Sequence, residues 1–123
     1  IYTLSLHDAL PIFATPTGST AYSLSAGGPI LAPKMECILM TPVCPHSLFS
    51  RSVLFSGESE LSVHVKIPEE CCCVLTIDGE KNVPVLATDR VVIRKSDLKL
   101  KLALLHNRNF YKLLNEKLKE RDF

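Results

Sequence analysis

The chain has 123 residues, and its 14 basic and 13 acidic side chains leave a formal net charge of +1. A charge this close to zero gives no electrostatic case for binding nucleic acid or an acidic membrane surface. No apolar run approaches the roughly 18 residues needed to span a bilayer, so we expect a soluble, cytoplasmic protein with a single core.

The first informative segment is a loop of small residues, 15–19, which leads into a short helical pattern over residues 20–26. The pattern ends at Gly27-Gly28-Pro29, a strong helix stop. Hydroxyl and free backbone N–H groups at a helix N-terminus suit a hydroxyl-rich or phosphorylated ligand. Gly18 allows close approach of a ligand and Tyr22 offers a ring for stacking. These residues alone leave two interpretations open, a nucleotide-contacting loop and an ordinary helix cap.

Beyond this loop the chain is typical of β structure. Short apolar or alternating runs predict strands over residues 37–40, 52–55, 61–67, 71–77, 83–86, 90–94 and 98–104. The last run gives the clearest signal, because Leu98, Leu100, Leu102 and Leu104 alternate with lysine or alanine. The Asp78-Gly79 pair predicts a hairpin turn after the fourth of these runs.

The end of the chain changes to a helical period. Four apolar residues lie at helical spacing after Asn109, a plausible N-cap, and these are Phe110, Leu113, Leu114 and Leu118. An amphipathic helix of this kind needs a surface on which to pack its apolar stripe. The predicted fold class is therefore mainly β, with one short helix and one carboxy-terminal helix.

The spacing of the five cysteines does not predict a disulfide framework or a metal site. Cys71, Cys72 and Cys73 are consecutive in a strand-like run, so their side chains alternate between two faces and cannot converge on one metal. Cys37 and Cys44 lack C-x-x-C spacing. An odd number of cysteines without a secretion signal predicts reduced thiols and no metal site.

Three motifs together resemble the carboxy-terminal half of the NAD kinase family. They are TPTGSTAY at residues 15–22, a proline-histidine stretch from Thr41 to Arg51, and the aspartate-glycine turn at residues 77–80. The order and spacing are those of the family, with Ser52 in place of its usual proline and Glu80 where glutamine is common. The resemblance covers residues 14–123 and implies a β-sandwich-like NAD-binding domain.

The resemblance also implies a set of ligand-binding positions on the loop and the turn. Those for NAD would be Thr17, Thr20, Ala21, Tyr22, Ser23, Leu24, Ser25, Asp78, Gly79 and Glu80. Pocket support would come from Cys44, His46 and Arg51. Structural alternatives remain, because His46 suits a rigid proline loop, Arg51 suits a brace, and most Asp-Gly pairs are only turns.

In the family, the implied reaction phosphorylates the adenosine 2′-hydroxyl of NAD, with ATP or polyphosphate as donor and Mg²⁺ or Mn²⁺ as cation, in a homodimer or homotetramer. The family's GGDGT loop, which carries its proposed catalytic aspartate, does not occur in this sequence. We therefore expect a truncated product that binds NAD and is inactive by itself. A lipid kinase of related fold and a non-catalytic β-sandwich module for binding or assembly are the alternatives.

The first thirteen residues, IYTLSLHDALPIF, do not match the strand that the family places before the loop. They resemble a translated adapter joined to a gene fragment. We therefore expect residues 1–13 to be a non-native leader, and the family domain to span residues 14–123.

Overall fold

The computed structural model describes residues 2–6, 10–43 and 51–120 of the chain. These residues form strands β1 (Tyr2–Leu6), β2 (Leu10–Ala14), β3 (Cys37–Val43), β4 (Val53–Ser56), β5 (Leu61–Val65), β6 (Cys73–Ile77), β7 (Lys81–Val85) and β8 (Val91–Ile93). A 3₁₀ helix, Thr17–Thr20, precedes helix α1 (Tyr22–Ser25), and helix α2 (Phe110–Lys119) closes the described chain. The predicted mainly β fold, with a short helix after the loop and a carboxy-terminal helix, is confirmed.

The strands form two three-stranded sheets and a hairpin. In the first sheet β5 lies between β1, which is parallel to it, and β8, which is antiparallel. In the second, β3 lies between β2 and β4, and both pairings are antiparallel. Among the described strands, β6 and β7 pair only with each other, and the predicted Asp78-Gly79 turn joins them.

The core forms around the two central strands because each has a neighbour on both sides. Leu39 of β3 and Leu61 of β5 have no exposed surface at all. The ring of Tyr2 on β1 lies 5.4 Å, centroid to centroid, from the ring of Phe55 on β4, so the two sheets contact each other there. Burial of apolar side chains such as Leu39 and Leu61 supplies the main driving force for folding this β unit.

The strand predicted over residues 98–104 is wrong. Residues 94–109 form no strand in the structure, and Leu98, Leu100, Leu102 and Leu104 remain 74–89% exposed. Alternation of leucine and lysine gives an extended segment two distinct faces, but a strand also needs a partner for its backbone groups. No strand of the described chain is paired with this segment.

The segment expected to be a leader is integrated in both sheets. Strand β1 pairs along its whole length with β5, and β2 pairs with β3 from Leu10 to Ala14. Strand β2 ends directly before the loop, so it occupies the position for which the sequence offered no matching strand. That residues 1–13 are a non-native leader stays a prediction.

Helix α2 begins as expected at Asn109, whose side-chain Oδ1 accepts a hydrogen bond from the Tyr111 N–H at 2.9 Å. Lys117 and Lys119 lie in its last turn, where positive charge complements the helix dipole. With ten residues, α2 is the longest helix in the described part of the chain, and none there is long and apolar enough to cross a membrane.

Candidate functional site

The loop between β2 and α1 is closed by its own hydrogen bonds. The Gly18 N–H donates to Thr15 Oγ1 at 3.1 Å, the Ser19 N–H to the Pro16 carbonyl at 3.2 Å, and the Ala21 N–H to the Gly18 carbonyl at 3.1 Å. The expectation of free N–H groups at a helix N-terminus is therefore wrong for these three residues. Since α1 has only four residues, its dipole gives little further support to an anion.

Ser19 fixes the loop from inside. Its side chain is fully buried, and its hydroxyl donates to the Pro16 carbonyl at 2.6 Å while accepting the Leu31 N–H at 3.0 Å. Leu31 is itself buried and lies beyond the helix stop. The hydroxyl therefore joins the start of the loop to the segment that follows α1, and holds the loop in one shape.

A second buried serine fixes helix α1 to the sheet beneath it. The hydroxyls of Ser23 and Thr41 lie 2.8 Å apart, and the Ser52 hydroxyl donates to Thr41 Oγ1 at 3.4 Å. Gly28 packs on the same pair. A Cβ atom added there would lie 2.5 Å from Ser23 Oγ and 2.6 Å from Thr41 Oγ1, so no larger residue fits without displacing the contact.

The ring of Tyr22 lies against the hairpin turn of β6 and β7. Asp78 and Gly79 have φ angles of 52° and 73°, and the Glu80 N–H donates to the Ile77 carbonyl at 3.1 Å, a geometry typical of a type I′ turn. A Cβ atom added to Gly79 would lie 2.9 Å from Tyr22 Oη and 3.5 Å from ring atoms Cε2 and Cζ. Two motifs that are far apart in sequence thus meet at one point, and the Tyr22 side chain is still 66% exposed.

Helix α2 flanks the other side of the same loop. Its apolar stripe, formed by Phe110, Leu113, Leu114 and Leu118, lines a groove whose opposite wall is Thr20 and Leu24. All four stripe residues are half-buried. The apolar stripe of α2 therefore faces the loop and α1 across this groove.

A family model described as the ATP-NAD kinase C-terminal domain matches residues 4–105. The chain belongs to the NAD kinase family. The match begins ahead of the loop, inside β1, and it ends before α2. It confirms the resemblance carried by the three motifs, and it places the chain in a family of phosphotransferases.

Curated relatives agree with this assignment. The chain is 45% identical over 109 residues to the NAD kinase of Carboxydothermus hydrogenoformans, covering 89% of this chain and 39% of the relative. It is 46% identical over 107 residues to the NAD kinase of Magnetococcus marinus, with 87% and 35% covered. The chain thus spans less than two-fifths of the length of these relatives.

A solved structure has the same fold. The crystal structure of yeast NADH kinase complexed with NADH superposes with a TM-score of 0.61 at 27% identity, over 92% of this chain and 33% of the yeast chain. The yeast enzyme and this chain therefore share a fold over the aligned residues.

The family site residues named from the sequence differ in exposure. Those whose side chains or backbone are open to solvent are Thr17, Ala21, Tyr22, Ser25, Asp78, Gly79, Glu80 and Arg51, whereas Thr20 and Leu24 are half-buried. Ser23 is buried. Cys44 and His46 lie outside the described residues. The roles of all these residues in binding NAD stay predictions.

Residues that the sequence did not indicate complete the base of the site. The Leu31 N–H donates to Ser19, the Thr41 hydroxyl bonds to Ser23, and the Ser52 hydroxyl donates to Thr41. The Gly27-Gly28 pair signalled only a helix stop, yet Gly28 also packs against Ser23 of α1 and Thr41 of β3. Paired small residues next to a hydroxyl-rich loop are the only sequence signal for this packing.

The described residues do not offer a metal centre. No group of three histidine, cysteine or acidic residues among them is arranged to hold a metal ion. The loop from Thr15 to Ser25 contains no carboxylate, imidazole or thiol. The described residues therefore do not fit a divalent cation.

Proposed function

We propose that this chain is the NAD-binding part of an enzyme that phosphorylates the adenosine 2′-hydroxyl of NAD to give NADP. The donor would be ATP or polyphosphate. Family membership supports this reaction class, and the yeast relative holds NADH. The observation that carries the proposal is the contact between Tyr22 and the Gly79 turn, because it joins the two predicted binding motifs in one exposed surface.

The proposed surface binds by stacking and by neutral hydrogen bonds. The exposed ring of Tyr22 offers a face to a planar base, and such a contact is worth about 0.5–1.5 kcal/mol beyond area burial. Thr17 and Ser25 contribute hydroxyls at its rim, while the carboxylates of Asp78 and Glu80 accept from ribose hydroxyls. The Ser23 hydroxyl already bonds to Thr41, so Ser23 would act through its backbone or by holding α1.

Phosphoryl transfer depends mainly on positioning and on stabilising developing charge. We assign the positioning of NAD to this chain, because its loop is held rigidly by two buried serines. The loop from Thr15 to Ser25 contains neither a carboxylate or imidazole that could act as general base nor a set of metal ligands. The general base and the residues that bind the Mg²⁺ or Mn²⁺ of the phosphoryl donor would therefore come from the rest of the enzyme. We also propose that the whole enzyme is a homodimer or homotetramer, as the resemblance implies, and that it acts in the cytoplasm.

The alternatives differ in what they predict. The family match and the curated relatives favour an NAD kinase over a lipid kinase of related fold. A non-catalytic binding or assembly module would share the fold but would not need an exposed aromatic ring at the junction of loop and turn. NAD binding that depends on Tyr22 therefore separates the proposed function from this alternative.

The test is a calorimetric titration of the 123-residue chain with NAD. Tyr22→Ala is expected to weaken NAD binding about tenfold, as the loss of a stacking ring costs roughly 1–3 kcal/mol. The matched control is Tyr111→Ala on α2, since Tyr111 is equally exposed at 62% and lies outside the proposed surface. Equal NAD affinity of the parent and Tyr22→Ala would contradict the proposal.

A second arm restores catalysis. Residues 14–123 are joined to the amino-terminal region of the Carboxydothermus hydrogenoformans NAD kinase, and kinetics are measured with both substrates. Tyr22→Ala is expected to raise the KM for NAD more than the KM for ATP, because only NAD would contact the ring. Tyr111→Ala in the same fusion should leave both constants unchanged.

A further inference from the structure

We propose that Gly79 is a positioning residue: by lacking a side chain, it leaves a seat on the hairpin turn in which the Tyr22 ring rests. The inference rests on the proposed function, since the seated ring is the one assigned to NAD. Gly79 would not need to touch NAD itself. It would act by fixing where the ring of Tyr22 presents its exposed face.

The distances show that a side chain at position 79 would overlap the Tyr22 hydroxyl. A Cβ atom at position 79 would lie 2.9 Å from Tyr22 Oη, closer than carbon and oxygen approach without a bond, and 3.5 Å from Cε2 and Cζ, which is ordinary contact. The severe overlap therefore involves the hydroxyl oxygen alone. The ring carbons would tolerate an added methyl group.

The ring, and not the backbone, is the part that would yield. The turn is held by the bond from the Glu80 N–H to the Ile77 carbonyl and by the 2.9 Å bond between the Thr76 and Asn82 side chains. The helix that carries Tyr22 is held by the neighbouring Ser23 hydroxyl on Thr41. Tyr22 Oη is the far end of a rotatable side chain, so a methyl group at position 79 would move the ring without unfolding either anchor.

Seating the ring matters because an unsupported exposed side chain samples several rotamers. A ligand that needs one of them must then bear the entropic cost of selecting it, which lowers the affinity. Contact of Oη, Cε2 and Cζ with the turn restricts the side chain before the ligand arrives, and the side chain is nevertheless 66% exposed. Gly79 thus pre-organises a ring that remains available for stacking.

Position 79 also has a positive φ of 73°, which strains any residue other than glycine. The effect of this backbone strain must be distinguished from the effect of the overlap with Tyr22. Two comparisons achieve this. Gly27 has a φ of 88° and an added Cβ there meets nothing within 4 Å, so Gly27→Ala introduces the strain without an overlap. The Tyr22→Phe background removes the overlapping oxygen but keeps the strain of Gly79→Ala.

The experiment is a double-mutant cycle of NAD affinity on the 123-residue chain, with thermal unfolding as a check of folding. We expect Gly79→Ala to weaken NAD binding about tenfold in the parent and less than threefold in the Tyr22→Phe background. The two substitutions should be non-additive because residues 79 and 22 overlap only when the Tyr22 hydroxyl is present. Gly27→Ala is expected to stay within threefold. Equal losses in both backgrounds would overturn the inference.

A second readout needs no ligand. The α protons of Gly79 should show a ring-current shift that disappears in Tyr22→Leu. Absence of this shift would overturn the inference even if NAD binds. A parent chain that shows the shift but fails to bind NAD would instead overturn the proposed function, and with it the role of the seated ring toward NAD.

Discussion

The hydroxyls of Ser23 and Thr41 lie 2.8 Å apart where helix α1 meets strand β3, and both side chains are almost completely buried. Ser23 thus belongs to the interior, although its neighbours Tyr22 and Leu24 lie at the proposed ligand surface and in the α2 groove. The conformation of the loop is consequently linked to the stability of the sheet below it.

Ser23→Ala is expected to destabilise the chain by about 1–2 kcal/mol, because it removes a buried hydrogen bond and leaves Thr41 with only the longer bond from Ser52. Urea unfolding followed by circular dichroism measures the change. Ser25→Ala is the matched control, since Ser25 lies in the same helix and is exposed. Indistinguishable midpoints for the two variants would contradict the buried bond.

The sequence predicted local features of this site more reliably than distant contacts. The Asp78-Gly79 turn and the Asn109 cap depend on residues that are adjacent in the chain, and both occur as predicted. The partner of Ser23 lies eighteen residues away, and the meeting of Tyr22 with Gly79 depends on how the β6–β7 hairpin is placed. Neither leaves a periodic signal in the sequence.

The false strand over residues 98–104 has a related cause. Periodicity reports which side chains share a face, and it does so equally well for an extended segment with no partner. Strand β2 was missed for the opposite reason. Its sequence pattern does not predict a strand, but its backbone forms hydrogen bonds with β3. In both segments pairing decides the outcome.

We expect the 123-residue chain to form no NADP from NAD, ATP and magnesium. Its sequence contains no GGDGT motif, and the loop from Thr15 to Ser25 has no carboxylate to serve as general base. A coupled dehydrogenase assay detects NADP. Turnover above the blank would contradict the assignment of catalysis to other residues, and the fusion described above is the positive control.

We expect the chain to self-associate, mainly through the exposed leucines of residues 98–105. The α2 stripe is half-buried, whereas Leu100 and Leu102 are 87% and 74% exposed, and burying such side chains gains roughly 1.5–3 kcal/mol each. Light scattering over a dilution series should show association that persists in a chain ending at Asn107.

The matched variants for this prediction replace alternate positions of the same segment. Leu100→Ser combined with Leu102→Ser should reduce association, while Lys99→Ser combined with Lys101→Ser should not. A monodisperse monomer of the unaltered chain would show that these leucines do not drive association.

The cysteines should react at different rates. Burial, together with the neighbouring Glu36 carboxylate, raises the pKa of the Cys37 thiol, so less of the reactive thiolate is present at neutral pH. Cys71 and Cys72 are exposed. Iodoacetamide labelling read by mass spectrometry should modify Cys71 and Cys72 first, and Cys37 should accelerate only as the pH rises. Fastest labelling at Cys37 would contradict this order.

The exposed ion pair of Glu36 and Lys95 should give a small dependence of stability on pH. The Lys95 ammonium, by hydrogen bonding and by its charge, lowers the pKa of the Glu36 carboxyl, and Glu36 in turn raises the pKa of Lys95. The stabilisation is therefore present above the ordinary carboxyl pKa and is lost as the pH falls through the lowered folded value. At the alkaline end it is lost as the pH rises through the raised value for Lys95.

Thermal unfolding of Glu36→Gln measures this contribution. Its Tm should fall below that of the parent at neutral pH in low salt, and the two should converge in acid and in high salt. Glu69→Gln, at another exposed glutamate, serves as the control. A difference that persists at acid pH would rule out the ion pair as its source.

The parallel pairing of β1 with β5 has a consequence for the order in which the chain acquires its structure. During synthesis β1 emerges before β5, and this partner is made only after β2, β3 and β4. The β6–β7 hairpin joins neighbouring residues and closes quickly, whereas the sheet containing β1 must first close a long loop. The nascent chain therefore carries β1 unpaired until β5 has been made, and in that interval β1 is vulnerable to wrong pairing or to capture by a chaperone.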